Sequence, residues 1–239
     1  MSHHKPPGWD HQVREIFSRI SNRYDLINAL MTFGQDQSWR HYVVGMAGLP
    51  TGGRLLDTGT GTGKIALDAV RNDPSLSVAA ADFSLEMLRI GHRRARGKKV
   101  LWCLADALML PFSEATFDAV TSGYLVRNVI DIYRAFEEQK RVVKPGGRVV
   151  CLETSPPPRN LIRPFILFYL NIVIPIVGSL ISGSKKAYQY LPQTTQVFLE
   201  PEELASIMKD VGLKDVRYQR FMFGTVVVVV GIRPEEDSD

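Results

Sequence analysis

Three glycines at two-residue spacing follow a short apolar run: Leu55-Leu56-Asp57-Thr58-Gly59-Thr60-Gly61-Thr62-Gly63. Glycines so placed let the backbone turn sharply and approach a ligand with no Cβ in the way. A helix starting near Gly63 would point unpaired N–H groups at the same place. Gly61–Ala66 fits the dinucleotide pattern G-x-G-x-x-G/A. It is not a phosphate loop of the G-x4-G-K-[ST] type, because Ile65 follows Lys64 and Thr58 stands where the first glycine belongs. Asp82 lies 21 residues after Gly61, where a carboxylate can accept from ribose hydroxyls. The plainer reading is a helix cap, shared with Ser84. Asp106-Ala107 offers a carboxylate for an adenine amino group and a backbone N–H for a ring nitrogen; alone it reads equally as a loop aspartate. Together the three places describe an adenosine site.

The elements that must position them alternate. Strands are expected at Arg54–Asp57, Ser77–Asp82, Val100–Ala105, Phe117–Ser122 and Arg148–Glu153, with helices at Lys64–Arg71, Leu85–Arg96 and Asp131–Val143. Such alternation predicts a parallel sheet with helices on both faces. The three candidate places then fall at the carboxyl ends of the first three strands, where open α/β sheets bind ligands. Pro145-Gly146-Gly147 reads as a tight turn into the fifth strand. A helix over Glu202–Val211 is followed by strands at Asp215–Met222 and Thr225–Val230 around Phe223-Gly224. Two strands this close form an antiparallel hairpin, since a parallel return needs a crossover. The fold class is therefore α/β, a Rossmann-like seven-stranded sheet closed by a C-terminal antiparallel hairpin.

Before the glycine loop, Val13, Phe17, Ile20 and Tyr24 share one helical face, and a second helix is expected over Gln35–Ala47. Four regions result: an N-terminal helical cap (1–50), a nucleotide-binding core (51–155), an apolar insertion (156–196), and a helix with a hairpin completing the core (197–239). Net charge is +4, a mild bias compatible with anionic membranes. The basic run His92–Lys99 ends a helix and complements its dipole. No aromatics interleave with it, so no nucleic-acid partner is expected. Cys103 and Cys151 sit in apolar runs and read as buried thiols of a reducing, cytoplasmic compartment. No apolar signal region opens the sequence, and no zinc spacing or other metal site is expected.

Pro164–Gly183 breaks the alternation with 20 consecutive uncharged residues. By length it could span a membrane. Pro164, Pro175, Gly178, Gly183, Asn171 and Ser179 argue against a clean span. An insertion lining a greasy substrate site or touching a bilayer surface, and plain core packing, are the other readings.

The chain resembles the ubiquinone/menaquinone biosynthesis C-methyltransferases over about Val13–Gly231. The resemblance rests on Arg23-Tyr24-Asp25-Leu26-x-Asn28, Trp39-Arg40, the glycine loop, Leu110-Pro111-Phe112, Arg127-Asn128-Val129, Arg141–Gly147, Leu152-Glu153-x-Ser155 and Tyr188-x-Tyr190-Leu191. It implies S-adenosylmethionine as cofactor and a polyprenyl quinol as acceptor, most naturally demethylmenaquinol. It implies Thr62, Asp82 and Asp106-Ala107 as cofactor contacts. With the loop residues Asp57, Gly59 and Gly61, and with Phe83 and Gly123, these form the candidate cofactor set. The family often has serine at Gly123, Phe-Gly-Leu where this chain has Tyr124-Leu125-Val126, and histidine at Val229.

Ring methylation needs a quinol anion held close to the methyl donor, away from water, with its oxyanion stabilised. Arg127 is the expected stabiliser and Asn128 an orienting partner. The plainer reading of Arg127 is an ion pair with Asp131. Tyr24, Tyr188 and Tyr190 are expected to close over the ring, or to pack. The protein is expected to sit in the cytoplasm or at the inner face of the membrane, and a homodimer is compatible with the sequence. Rival readings are a methyltransferase of soluble small molecules, an NAD-dependent oxidoreductase, and a nonenzymatic lipid binder that kept the fold.

Overall fold

The computed structural model describes residues 25–177 and 198–235. The expected parallel sheet with a terminal hairpin is present. Strands β1 (Arg54–Thr58), β2 (Ser77–Asp82), β3 (Val100–Leu104), β4 (Phe117–Gly123), β5 (Val143–Thr154), β6 (Lys214–Phe221) and β7 (Val226–Ile232) form one sheet ordered β3-β2-β1-β4-β5-β7-β6. The first five run parallel, and β7 pairs antiparallel with both β5 and β6. The order reverses between β1 and β4, which opens a crevice at their carboxyl ends.

Central strands such as Val226–Val230 are apolar at every position because both faces are covered. On one face Leu55, Val78 and Ala80 pack under helices α2 (Asp36–Ala47), α3 (Lys64–Asn72) and α4 (Leu85–Ala95). On the other, Leu56, Ala79 and Ala81 join α5 (Ile132–Val142) and the last helix, α7 (Pro201–Asp210). Side chains one apart thus serve opposite cores, as the period of two requires. Helix starts follow their caps: Ser84 Oγ accepts from the Met87 amide, and Asp131 accepts from that of Arg134. At Gly63 and Gly91 a Cβ would collide with the Trp102 ring, so these glycines let β3 sit close against α3 and α4.

Several expectations need correction. Pro145-Gly146-Gly147 does not precede β5 but bulges out of it. Phe117 pairs with Val143 and Ala119 with Arg148, and the residues between leave the ladder. Cys151 is fully buried, but Cys103 is only half-buried, because β3 lies at the sheet edge. Val229 lies opposite Cys151 inside the core, so that departure from the family pattern does not face the crevice.

The N-terminal cap is described from residue 25: helix α1 (25–31) precedes α2. Val13, Phe17, Ile20 and Tyr24 lie outside the described residues. So do Tyr188, Tyr190 and the end of the apolar tract. Its described part is helical. Helix α6 (Arg163–Phe168) passes through a π-helical turn (Tyr169–Val173) and continues to residue 177. Among the described residues, no helix is long and apolar enough to cross a membrane.

Candidate active site

The glycine loop is tied down at both ends. The Thr60 amide donates to the Ala81 carbonyl at 3.0 Å, locking the loop to β2. Gly59, Gly61 and Gly63 all take left-handed φ, of 62°, 56° and 78°. No atom lies within 4 Å of where a Gly61 Cβ would stand, so a ligand can approach the backbone there. Asp57, next to last in β1, is almost wholly buried and accepts from Thr60 Oγ1 (2.5 Å), Thr121 Oγ1 (3.0 Å) and the Ala66 amide (3.3 Å). It staples β1, β4 and α3 together.

Asp82 ends β2. It accepts from the Gly61 amide at 2.7 Å and the Ser84 amide at 2.8 Å. Burial pushes the carboxyls of both Asp57 and Asp82 up to about 6, against partial opposition from those hydrogen bonds. Both groups hold protons more tightly when folded, so their ionisation removes stability as pH rises from about 4 through 6.

Two cavities share Gly59. The larger, about 440 Å³, is lined by Asp82 and Phe83 after β2, Asp106 and Ala107 after β3, and Leu125 and Asn128 after β4. Its size suits a small ligand. Asp106 is exposed, with Oδ1 receiving the Leu108 amide at 2.9 Å. The smaller cavity, about 40 Å³, is lined by Arg40, Lys64, Asp25, Asp57, Thr62 and Gly123.

That second site is densely charged. Asp36 pairs with Arg40 and, at 3.1 Å, with Lys64. Burial raises the Asp36 carboxyl, but the two cations outweigh it and hold it below its usual range. Asp25 of α1 pairs with Arg94 and stands 3.6 Å from Lys64, while both its oxygens receive Thr62 Oγ1. The cap is thereby clamped to the cofactor loop and to α4. Arg94, in the basic run expected to complement the helix dipole, is the α4 half of that clamp.

On the far side of the crevice, β4 is followed by Tyr124, which takes a φ of 58°. This conformation is costly for an aromatic residue, and it is held by the Tyr124 amide donating to Leu152 O at 2.7 Å. The turn carries Arg127 back beneath itself. Its guanidinium pairs with Glu153 at the end of β5, donates to Thr154 Oγ1 at 3.2 Å, and lies 5.0 Å over the Tyr124 ring. Arg127 is 5% exposed and Glu153 fully buried. The partner is thus Glu153, not Asp131, which caps α5. Asn128 lines the larger cavity and donates through Nδ2 to Tyr124 O at 2.7 Å.

Residues 8–233 match the model of the ubiE/COQ5 methyltransferase family. The chain belongs to that family. Among curated relatives, the ubiquinone/menaquinone biosynthesis C-methyltransferase UbiE of Desulfotalea psychrophila is 45% identical, covering 96% of this chain and 92% of the relative. The demethylmenaquinone methyltransferase of Thermus thermophilus is 43% identical, covering 92% of this chain and all (100%) of the relative. Solved structures share the fold at lower identity. An S-adenosylmethionine-dependent methyltransferase of Thermotoga maritima superposes with a TM-score of 0.65 at 22% identity, over 92% of this chain and 98% of that one. The phosphoethanolamine N-methyltransferase 2 of Haemonchus contortus, solved with S-adenosylhomocysteine, gives 0.63 at 18%, over 83% and 53%. The chain is thus a methyltransferase with the Rossmann-like sheet of the S-adenosylmethionine-dependent class.

For this ubiE/COQ5 member the structure gathers Gly59, Gly61, Asp82, Phe83, Asp106, Ala107 and Asn128 around or beside one cavity. Asp57, Thr62 and Gly123 line the adjoining one. Arg127 lines neither. Sequence reasoning gave no site role to Arg40, Lys64 or Asp25. They come from three segments; Asp25 and Arg40 fall within the runs that carry the family resemblance, which pointed at those two without giving them a role, and nothing pointed at Lys64.

Proposed function

We propose that this chain transfers the methyl group of S-adenosylmethionine to a ring carbon of a polyprenyl quinol, with demethylmenaquinol as acceptor and menaquinol as product. The observation that carries the reading is the pair of joined cavities. One is bounded by carboxylates suited to ribose and adenine. The other carries both signs of charge, as the amino-acid end of that cofactor requires. The names of the curated relatives supply the acceptor.

The residues present fit the cofactor. Asp82 would take the ribose hydroxyls, Asp106 and the Ala107 amide the adenine edge, and Phe83 and Leu125 the apolar ring faces. Arg40 and Lys64 would take its carboxylate, and Asp25 with Asp57 its ammonium. When bound, it supplies an electrophilic methyl group on sulfonium. The remaining work is positional. Asn128 lines the same cavity as Asp82 and Asp106, and would orient an acceptor ring that adjoins the cofactor there. Arg127 is buried, lines neither cavity and is paired with Glu153, so it lends the acceptor little direct charge. Its larger effect is to hold the 124–128 turn in shape through Tyr124 and Glu153, as a positioning residue. A ring hydroxyl must lose its proton to solvent or another base, since guanidinium stays protonated; the methylated ring carbon then sheds its own proton and the oxygen regains one, so the quinol is restored with one proton released overall.

Two outcomes are expected from calorimetry with S-adenosylhomocysteine. Affinity should weaken as pH falls through about 6, by up to about tenfold at pH 5, because an Asp82 that gains a proton loses acceptor strength. A flat profile between pH 5 and 8 would contradict the ribose assignment. Arg40→Met should weaken binding by ~10- to 100-fold and reduce the preference over the decarboxylated analogue. Unchanged preference would remove Arg40 from the cofactor site. The function itself is tested by locating the methyl in the product by NMR. A ring C–CH3 is expected, whereas an O–CH3 would make the protein an O-methyltransferase.

A further inference from the structure

The two edges of the sheet are built differently. At one edge β6 carries Lys214, Asp215, Arg217 and Arg220, and its pairing with β7 slips between Lys214 and Arg217. Charges and an irregular ladder keep a free edge from pairing with another chain. At the other edge β3 is Val100-Leu101-Trp102-Cys103-Leu104, with no charge, no proline and an unbroken register against β2. The Ala105 amide donates to Asp82 O, towards β2. Backbone groups alternate along a strand, so those of Cys103 and Leu101 also point inward, and those of Trp102 and Leu104 point to the open edge. One face of this edge is bare as well. The connection from β3 to β4 holds no helix, whereas α3, α4 and α5 fill the other three parallel crossovers. A groove of about 690 Å³ is left there, lined by Ala79, Leu101, Phe112 and Phe117. Leu101 is 63% exposed in it, and Cys103, next along the same face, is half-buried. The ends of the strand differ in sign. Exposed Lys98 and Lys99 precede it, and exposed Asp106 follows it.

We propose that β3 is the edge through which two copies of this chain pair, antiparallel about a twofold axis at Trp102, so that one sheet continues through both. That axis sets Trp102 against its own copy, with the outward N–H and C=O groups exchanged, Leu101 against Cys103, and Val100 against Leu104. It lays Leu101 and Cys103 of both copies side by side along the groove. It also brings the basic start of each strand, Lys98, to the acidic end of the other, Asp106. The strand is thus complementary to itself in charge, as a contact between identical surfaces requires. Asp106 and Ala107 line the larger cavity, so the pairing steadies the strand end assigned to adenine. The inference is independent of the acceptor.

Light scattering of the full chain at micromolar concentration should give the mass of two chains. Leu101→Lys should weaken the dimer at least about tenfold, since it places like charges on the shared face of both copies. Its circular dichroism should remain that of the folded chain, because Leu101 is exposed. Tyr218→Lys, exposed on the charged edge β6, should leave the dimer unchanged. Lys98→Asp and Asp106→Lys should each weaken it, and the two together should restore most of the loss, which damage to folding does not do. Hydrogen exchange locates the contact. The Trp102 and Leu104 amides should be protected in the wild type and exchange fast in Leu101→Lys. A wild type that stays a single chain overturns the proposal and leaves the edge to a strand of a different protein. A dimer that Leu101→Lys leaves intact, or in which the Trp102 and Leu104 amides exchange fast, overturns it too and assigns the dimer to another face.

Discussion

Replacing Asp82 with alanine is expected to weaken S-adenosylhomocysteine binding by about 100-fold or more. A hydrogen bond to an ionised carboxylate contributes about 1.5–3 kcal/mol, and two ribose hydroxyls can donate to this one, so ~100-fold follows. Part of the loss is indirect, because Asp82 also receives the Gly61 and Ser84 amides and so shapes the glycine loop. The two contributions can be separated. Asp82→Asn keeps one acceptor oxygen for the loop but loses the charge. Ionised Asp82 is costly to the fold above about pH 6, since burial raised its pKa. The asparagine variant escapes that cost, but the Gly61 and Ser84 amides reach separate oxygens and one would face its NH2, so it should lose about 1–3 kcal/mol at pH 7, less than the alanine variant, while its affinity stays well below wild type. Equal affinity in Asp82→Asn and wild type would mean that the carboxylate serves the loop and not the ribose.

Replacing Arg127 with alanine should have the largest effect on stability. It strips the only cation paired, among the described residues, with a fully buried carboxylate. Breaking a buried ion pair from one side costs about 3–5 kcal/mol, a large part of the roughly 5–15 kcal/mol that holds a domain together. Loss of methylation in that variant would say little about chemistry. The informative protein is Arg127→Met with Glu153→Gln. It removes both charges and keeps an oxygen for the Thr154 amide, which Glu153 now accepts at 2.8 Å. Chemical denaturation should show most of the lost stability restored. Methylation should remain at least about tenfold down, because the Tyr124–Asn128 turn loses its clamp. A stable double variant with wild-type turnover would leave Arg127 a purely structural residue.

The fold was legible because its signals are local. Strands buried on both faces read as apolar runs, caps such as Ser84 and Asp131 mark helix starts within a residue, and the short connection at Phe223-Gly224 admits only a hairpin. The Pro145–Gly147 bulge was not legible, since a turn and a bulge share glycine and proline and differ only in what pairs on either side. The glycine, Asp82 and Asp106 positions follow from strand ends, so sequence spacing found them. The charged subsite did not follow. Asp25, Arg40 and Lys64 meet only through tertiary packing of the cap on α3. Arg127 shows the same limit, because its partner lies 26 residues away on a neighbouring strand while Asp131 is close in sequence.

The rival oxidoreductase reading drew on Gly61–Ala66 alone, and membership of the ubiE/COQ5 methyltransferase family removes its ground. The central claim is tested most directly by incubating the protein with methyl-labelled S-adenosylmethionine and demethylmenaquinone in detergent, with and without a chemical reductant. Label should enter the naphthoquinol ring only when the acceptor is reduced, because only the quinol anion is nucleophilic at carbon. Failure to label the reduced acceptor, with transfer to a soluble phenol or amine, would contradict the account.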